Sequence, residues 1–501
     1  MFLALYGLTS SGNAFRVPDE FEVYFQAEHF ADAGDISVPQ TLSIRQDGEP
    51  IFFGTFGRDG KPYAPYGPGV AFLILPFHLL GRAVAAAAGV PRAPLPAWEF
   101  LVGGITTLSM AFFAALAVAG FHRAARALGG SGRRATALSL LLGGATVLWA
   151  YGTALYSEAL LAACFVWAAA ALLEARSVSA DRVRERVLAA AALILIAGLA
   201  KPTALVIAPA FVVAVLLDGT VAPSGRWRTA MAIAAAIGLS TAIQLAWNDW
   251  RFGAPLDFGY NLGAMVPHPP ARPFALEDVP RGLAVQLFAP GKSIFVWAPA
   301  LLLSLAALPD AWRRQRALLI GLGCAAASAL VFYAAFLYPE GGYAHGPRHL
   351  VPLVPLCLLP AVLAKRISVR LAAACTIAGV AICGTAASVS FLEDQSPPSA
   401  GVKTGPYYER IDAADGRPWN RYRFDYIPFQ TALGSGHWLD PRRPPGNGPD
   451  FFIVHLARAR RFFPGGAAIP ASLPWVMGIG WTVVLMIAGN HVRRTFARGA
   501  V

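Results

Sequence analysis

The chain has 501 residues, of which 56% are hydrophobic and only 14% charged, with a formal net charge of +12 and a mean hydropathy of +0.51. An ordinary soluble chain carries about 25% charged residues. A soluble enzyme, a disordered chain and a disulfide-rich secreted protein are therefore excluded, which leaves a polytopic membrane protein whose basic excess reflects topology and not nucleic-acid binding.

In chain order, residues 1–9 are apolar but lack the basic flank of a signal peptide. They read as the outer end of a first transmembrane helix that begins upstream. Residues 10–97 read as a first outer loop with juxtamembrane helices. Within it, residues 10–68 carry nine acidic residues against four basic ones. The apolar run 69–90 contains Pro76, His78 and Arg82 and reads as interfacial or re-entrant. Residues 98–391 form the transmembrane bundle. Spans are expected near 98–122, 135–152, 154–175, 187–200, 203–217, 229–247, 291–309, 317–338, 349–364 and 369–391. Lys201-Pro202 marks a tight turn, because proline removes a helical hydrogen bond. Residues 392–470 read as an outer loop or small cap, and 471–501 as the last span and a cytoplasmic tail.

The loops alternate in charge. Those at 123–134, 176–186, 218–228, 310–316 and 365–370, and the tail, are basic and belong on the cytoplasmic side. The five cysteines, Cys164, Cys324, Cys357, Cys375 and Cys383, lie in apolar runs without CxxC spacing. They suggest neither a zinc site nor a redox pair. The fold class expected is an all-α polytopic bundle of about 11–13 transmembrane helices, with an outward-facing helical segment in the first loop.

The charges that break the alternation carry the functional signal. Asp19 and Glu20 follow Pro18 at a predicted helix start. There they either cap the helix or serve as a general base beside a membrane cavity. Lys61 lies in a turn-rich stretch with Tyr63 and Tyr66, and its ammonium is either solvated or set to meet a lipid phosphate. Glu158 sits at the outer end of an apolar helix, where a carboxylate is costly and usually faces a cavity or a partner. Lys201 and Lys292 are outward cations that call for an anion or a headgroup. The stretch YPEGGYAHGPRH brings Glu340, His345, Arg348 and His349 onto a glycine-rich turn. Arg348 suits bidentate phosphate binding. No metal-ligand spacing is present. No cofactor is assigned, and a divalent cation, though compatible, is not predicted.

Taken together, the first-loop Asp-Glu, the KPY and YGPG stretches, YSE, AKP, LFAPGKSIFVWAPALL and GGYAHGPRHLVPLVPL resemble the GT-C membrane glycosyltransferases over roughly residues 10–365. The nearest branch is family 39-like and is similar to protein O-mannosyltransferases and lipid A aminoarabinose transferases. The resemblance implies inverting transfer of a hexosyl or pentosyl unit from a polyprenyl-phosphate-linked donor to an acceptor hydroxyl. It implies that Asp19 and Glu20 are catalytic, and that Lys61, Arg348, Lys201 and His345 hold the donor phosphate. It also implies that Glu158, Tyr63, Tyr66 and Glu340 line the cavity on the acceptor side. The partners expected are that donor, a protein, lipid or glycan acceptor, and the bilayer. No stretch resembles a β-trefoil sugar-recognition domain, which favours the plasma (inner) membrane of a bacterial envelope with a periplasmic or extracellular site. The alternative is a transporter or lipid flippase of envelope glycan precursors. The enzyme reading expects Asp19, Lys61 and Arg348 to line one cavity.

Overall fold

A computed structural model describes residues 1–389 and 450–498, apart from 13–14, 16, 44, 47–48, 51–53, 94, 261–273, 337, 340 and 343. Within 390–449 it describes only Arg410–Ile411 and Pro418–Trp419. Glu340 and most of the expected cap therefore lie outside the described residues. Three two-stranded antiparallel ribbons are the only sheets among the described residues. Apart from an isolated bridge between Phe274 and Phe336, the other regular structure among the described residues is helical.

The first half of the bundle comprises α1 (Phe2–Leu8), α2 (Pro18–Ala33), α3 (Pro68–Ala87), α4 (Leu95–Ala127), α5 (Gly132–Gly144), α6 (Leu148–Tyr151), α7 (Glu158–Ala175), α8 (Ala180–Ala200), α9 (Pro209–Leu216) and α10 (Pro223–Phe252). The second half comprises α11 (Val279–Phe288), α12 (Ile294–Trp297), α13 (Leu301–Arg314), α14 (Arg316–Ala334), α15 (Val354–Leu358), α16 (Val369–Ala386), α17 (Phe452–Phe462) and α18 (Leu473–Arg498).

Among the described residues, seven helices are long and apolar enough to cross a membrane: α3, α4, α7, α10, α14, α16 and α18. The chain is a multi-pass membrane protein. Six of the expected spans correspond to α4, α7, α10, α14, α16 and α18. The others are broken or displaced, each for a local reason. The expected 135–152 span stops at Gly144, after a Gly-Gly pair of low helix propensity, and resumes as the single turn α6. At 291–309, Pro299 separates α12 from α13. At 349–364, Pro352, Pro355 and Pro360 cut the run into two 3-10 turns around α15. At 203–217 a 3-10 turn precedes α9. The expected 187–200 span begins earlier, at Ala180, and carries Arg182, Arg184, Glu185 and Arg186 in its first turns.

Residues 68–87, expected to be interfacial or re-entrant, show no re-entrant break. They form one unbroken helix whose length and composition qualify as a span, despite Pro76 and Arg82. The far end of α3 is tied to the last turn of α2, because Arg82 and Arg92 both pair with Asp32, at 2.7 and 2.6 Å.

The core is rich in alanine, which lets helix backbones approach closely. α4 and α7 are the most deeply buried of the long helices. α7 and α8 form a hairpin closed at one end by contact between Glu158 and Lys201. The basic segments meet at the opposite end. There Arg176 pairs with Asp218 and bonds Gln315, and Arg186 pairs with Glu174. Arg134 bonds the carbonyls of Val362 and Ala364.

Candidate active site

α2 delivers the first carboxylate. Val17 is extended, Pro18 pre-sets the first helical φ, and Asp19 and Glu20 occupy the first turn. The helix dipole favours negative charge there. Gly34, at φ +68°, ends the helix in the left-handed conformation. α7 delivers the second carboxylate, Glu158, also in a first turn and 1% exposed. Lys201 comes from the extended residue that follows α8. Arg348 opens the 3-10 turn after the glycine-rich loop.

These four side chains converge. Arg348 Nη2 donates to Asp19 Oδ1 at 2.8 Å, and Arg348 Nε donates to Glu158 Oε1 at 2.9 Å. Lys201 Nζ donates to the same Glu158 oxygen at 2.6 Å. The guanidinium also lies 4.2 Å over the Tyr156 ring, a cation–π contact. Two cations thus face two carboxylates in a largely buried setting. Burial pushes the Asp19 carboxyl up, but the Arg348 guanidinium outweighs it and holds the group below its usual range. The second Glu158 oxygen, Oε2, has no hydrogen-bond partner among the described residues, and neither has the buried Tyr66 hydroxyl. Burial, with Asp19 nearby, raises the Tyr66 phenol well above its ordinary value. Glu20 is buried too and acts electrostatically on Tyr156.

A largely apolar cavity of about 660 Å³ opens two residues beyond Arg348. Leu350, Leu353, Val354, Cys357, Leu305 and Trp312 line it.

The remaining expected site residues lie elsewhere. Lys61 is exposed and pairs with Asp35 at 2.6 Å. Asp35 follows the C-terminal end of α2, whereas Asp19 opens that helix. About 21 Å of helix axis separates Asp19 from Ala33. The structure therefore does not bring Lys61 to Arg348: of the three residues expected to line one cavity, it brings together Asp19 and Arg348, which are in direct contact. The Tyr63 hydroxyl donates to Asp59 at 2.8 Å, and its ring packs edge-on against Trp250 and Phe252. His345 meets the Val389 carbonyl through Nε2 at 3.1 Å, while its own carbonyl accepts from the Tyr151 hydroxyl at 2.9 Å.

No family model matches the chain, and no curated protein matches it. Among solved structures, it is similar to ArnT from Cupriavidus metallidurans in the apo state, at 18% identity and a TM-score of 0.48. That match covers 97% of this chain and 74% of ArnT. The same protein bound to undecaprenyl phosphate gives 18% identity, the same coverage and a TM-score of 0.45. The oligosaccharyltransferase of Archaeoglobus fulgidus in the apo form gives 13% identity and a TM-score of 0.43, covering 77% of this chain and 54% of the other.

Three contributors were not assigned to the site from sequence. Tyr156 lies in the YSE motif, where only the glutamate drew attention. Arg251 is 1% exposed and donates to the Ala64 carbonyl and to Asn248, so it fixes the segment that carries Tyr66. Lys292, expected as an outward cation, is 1% exposed. Only burial distinguishes Arg251 and Lys292 from ordinary surface charge, and burial is a tertiary property.

Proposed function

We propose that the protein is a GT-C-type inverting glycosyltransferase. It moves a sugar from a polyprenyl-phosphate-linked donor to an acceptor hydroxyl at the outer face of the membrane. The observation that carries this reading is the Arg348 fork between Asp19 and Glu158, with Lys201 on the same glutamate. The four groups sum to zero formal charge, so an arriving phosphate must compete with the carboxylates for the cations. Once phosphate takes the guanidinium, Asp19 loses the contact that keeps its proton affinity low, and becomes a better base.

The reaction follows from that exchange. The acceptor oxygen attacks the anomeric carbon from the face opposite the phosphate, and the carbon–phosphate oxygen bond breaks. The acceptor proton passes to Asp19, and the polyprenyl phosphate leaves with the bonding electrons. A phosphate is already a good leaving group, so cations suffice to stabilise its developing charge. Arg348 and Lys201 fill that role, Glu20 supports Asp19, and Glu158 and Tyr66 offer polar atoms to the sugar or acceptor. The apolar cavity beyond Arg348 suits the first isoprene units of the donor. The loop charge alternation supports an outward position for the four-group end of the bundle.

The test is release of polyprenyl phosphate by purified protein in vesicles supplied with polyprenyl-phosphate sugar and membrane extract as acceptor source. Release coupled to sugar incorporation supports the reading. Movement of the intact donor between leaflets, without bond cleavage, supports the flippase alternative.

A further inference from the structure

The glycine-rich loop that precedes Arg348 is anchored through its backbone carbonyls by buried side chains. Gln286, fully buried on α11, donates from Nε2 to the Pro339 carbonyl at 2.8 Å. Lys292 Nζ, six residues on, donates to the Ala344 carbonyl and sits 3.5 Å from that of Gly342. The Tyr151 hydroxyl takes the next carbonyl, His345. The loop then folds back on the arginine it carries. Gly341 is at φ +92°, and a Cβ there would fall 2.4 Å from the Arg348 Cβ, so only glycine allows the backbone to lie against the Arg348 stem. Gly346 likewise packs on the Trp297 ring, where a Cβ would fall 2.7 Å from the nearest ring atoms.

Burying an ammonium is expensive unless its donors are satisfied. A neutral side chain would fill the same space without that cost. An ammonium has three donors that radiate from one point. It can therefore draw together carbonyls two residues apart, which forces the tight loop.

We propose that Lys292 is a positioning residue, not a phosphate ligand: it clamps the carbonyls of Gly342 and Ala344 and thereby fixes the loop that holds Arg348 between Asp19 and Glu158. The proposal rests on the glycosyltransferase reading only for what Arg348 binds. The clamp itself is independent of it.

The test compares the full-length protein in lipid nanodiscs with Lys292→Met and Lys292→Arg. Methionine keeps the length and removes every donor, whereas arginine keeps several. Hydrogen exchange of residues 341–349 is read together with the binding of undecaprenyl phosphate. The expected result for Lys292→Met is exchange about tenfold faster in that loop, with α4 and α7 unchanged, and undecaprenyl phosphate bound about tenfold more weakly. Lys292→Arg recovers most of both. Unchanged loop exchange in Lys292→Met overturns the proposal, as does faster exchange with undecaprenyl phosphate binding intact. If Lys292→Met does not fold, Lys292→Gln, whose amide nitrogen falls one bond short of the ammonium, must speed exchange in the same loop, or the clamp is refuted. If the unsubstituted protein binds no undecaprenyl phosphate, the functional reading fails, and loop exchange alone decides the clamp.

Discussion

Arg348 reaches back across 329 positions of the chain to bond Asp19 at 2.8 Å, and with its Nε it holds Glu158. One guanidinium thus joins the first turns of α2 and α7. Its planar fork is what makes this possible, since lysine presents a single point charge.

Replacement of Arg348 therefore has two consequences. Breaking a buried ion pair costs about 3–5 kcal/mol, because the partner charges are left uncompensated. Arg348→Ala is expected to lower the melting temperature and abolish binding of undecaprenyl phosphate. Arg348→Lys is expected to restore part of the stability but little of the binding. Thermal unfolding in nanodiscs and a binding titration check both. Full binding by Arg348→Lys would show that the fork is unnecessary.

Glu158 holds both cations, and under the proposed function it competes with the donor phosphate for them. Glu158→Gln is thus expected to bind undecaprenyl phosphate more tightly while transferring sugar more slowly. Equilibrium binding and a transfer rate, measured on the same preparation, separate the two effects. Weaker binding would mean that Glu158 acts as a scaffold for the cations and not as a competitor.

Lys61 offers a contrast. Its pair with Asp35 is exposed, and exposed pairs contribute little. Lys61→Ala is expected to change undecaprenyl phosphate binding by less than about twofold. A loss comparable to that of Arg348→Ala would mean that the first loop moves to bring Lys61 onto the phosphate.

A pH dependence arises at the other end of α2. Glu28 is hydrogen-bonded to Glu99, which also accepts from the Tyr24 hydroxyl at 2.6 Å, and Gln40 donates to Glu28 at 3.0 Å. Asp32, held by Arg82 and Arg92, is the neighbouring charge. Burial, and then the contact with Glu99, pushes the Glu28 carboxyl from the usual 4.5 up to about 8. The fold thus favours protonated Glu28. The resulting stability is complete below about pH 4.5 and is lost as pH rises through 8. The melting temperature is expected to fall as pH rises from about 4.5 to 8 and to level off above that, and Glu28→Gln to remove that slope. An equal slope in Glu28→Gln would assign the dependence to another group.

Much of the site is legible in the sequence because charges in an apolar chain are conspicuous. Asp19, Glu158, Lys201 and Arg348 stand out against the loop alternation, and the structure brings them together. Lys61 stands out equally but sits beyond the far end of α2, and sequence patterning does not say how a loop helix points. The spans are legible where the apolar run is uninterrupted, as in α4 and α14. They fail at 291–309 and 349–364, where proline spacing and not hydropathy decides whether a run is one helix or several. Lys292 and Arg251 look like ordinary basic residues until burial shows their carbonyl partners.

Under the proposed function, Asp19 takes the acceptor proton during transfer from a polyprenyl-phosphate donor. The direct measurement is the single-turnover transfer rate of Asp19→Asn, a variant that keeps a carbonyl oxygen for Arg348 but cannot hold the proton. A loss of about 10²-fold or more is expected, with binding of undecaprenyl phosphate retained. Transfer at the unsubstituted rate by Asp19→Asn would contradict it.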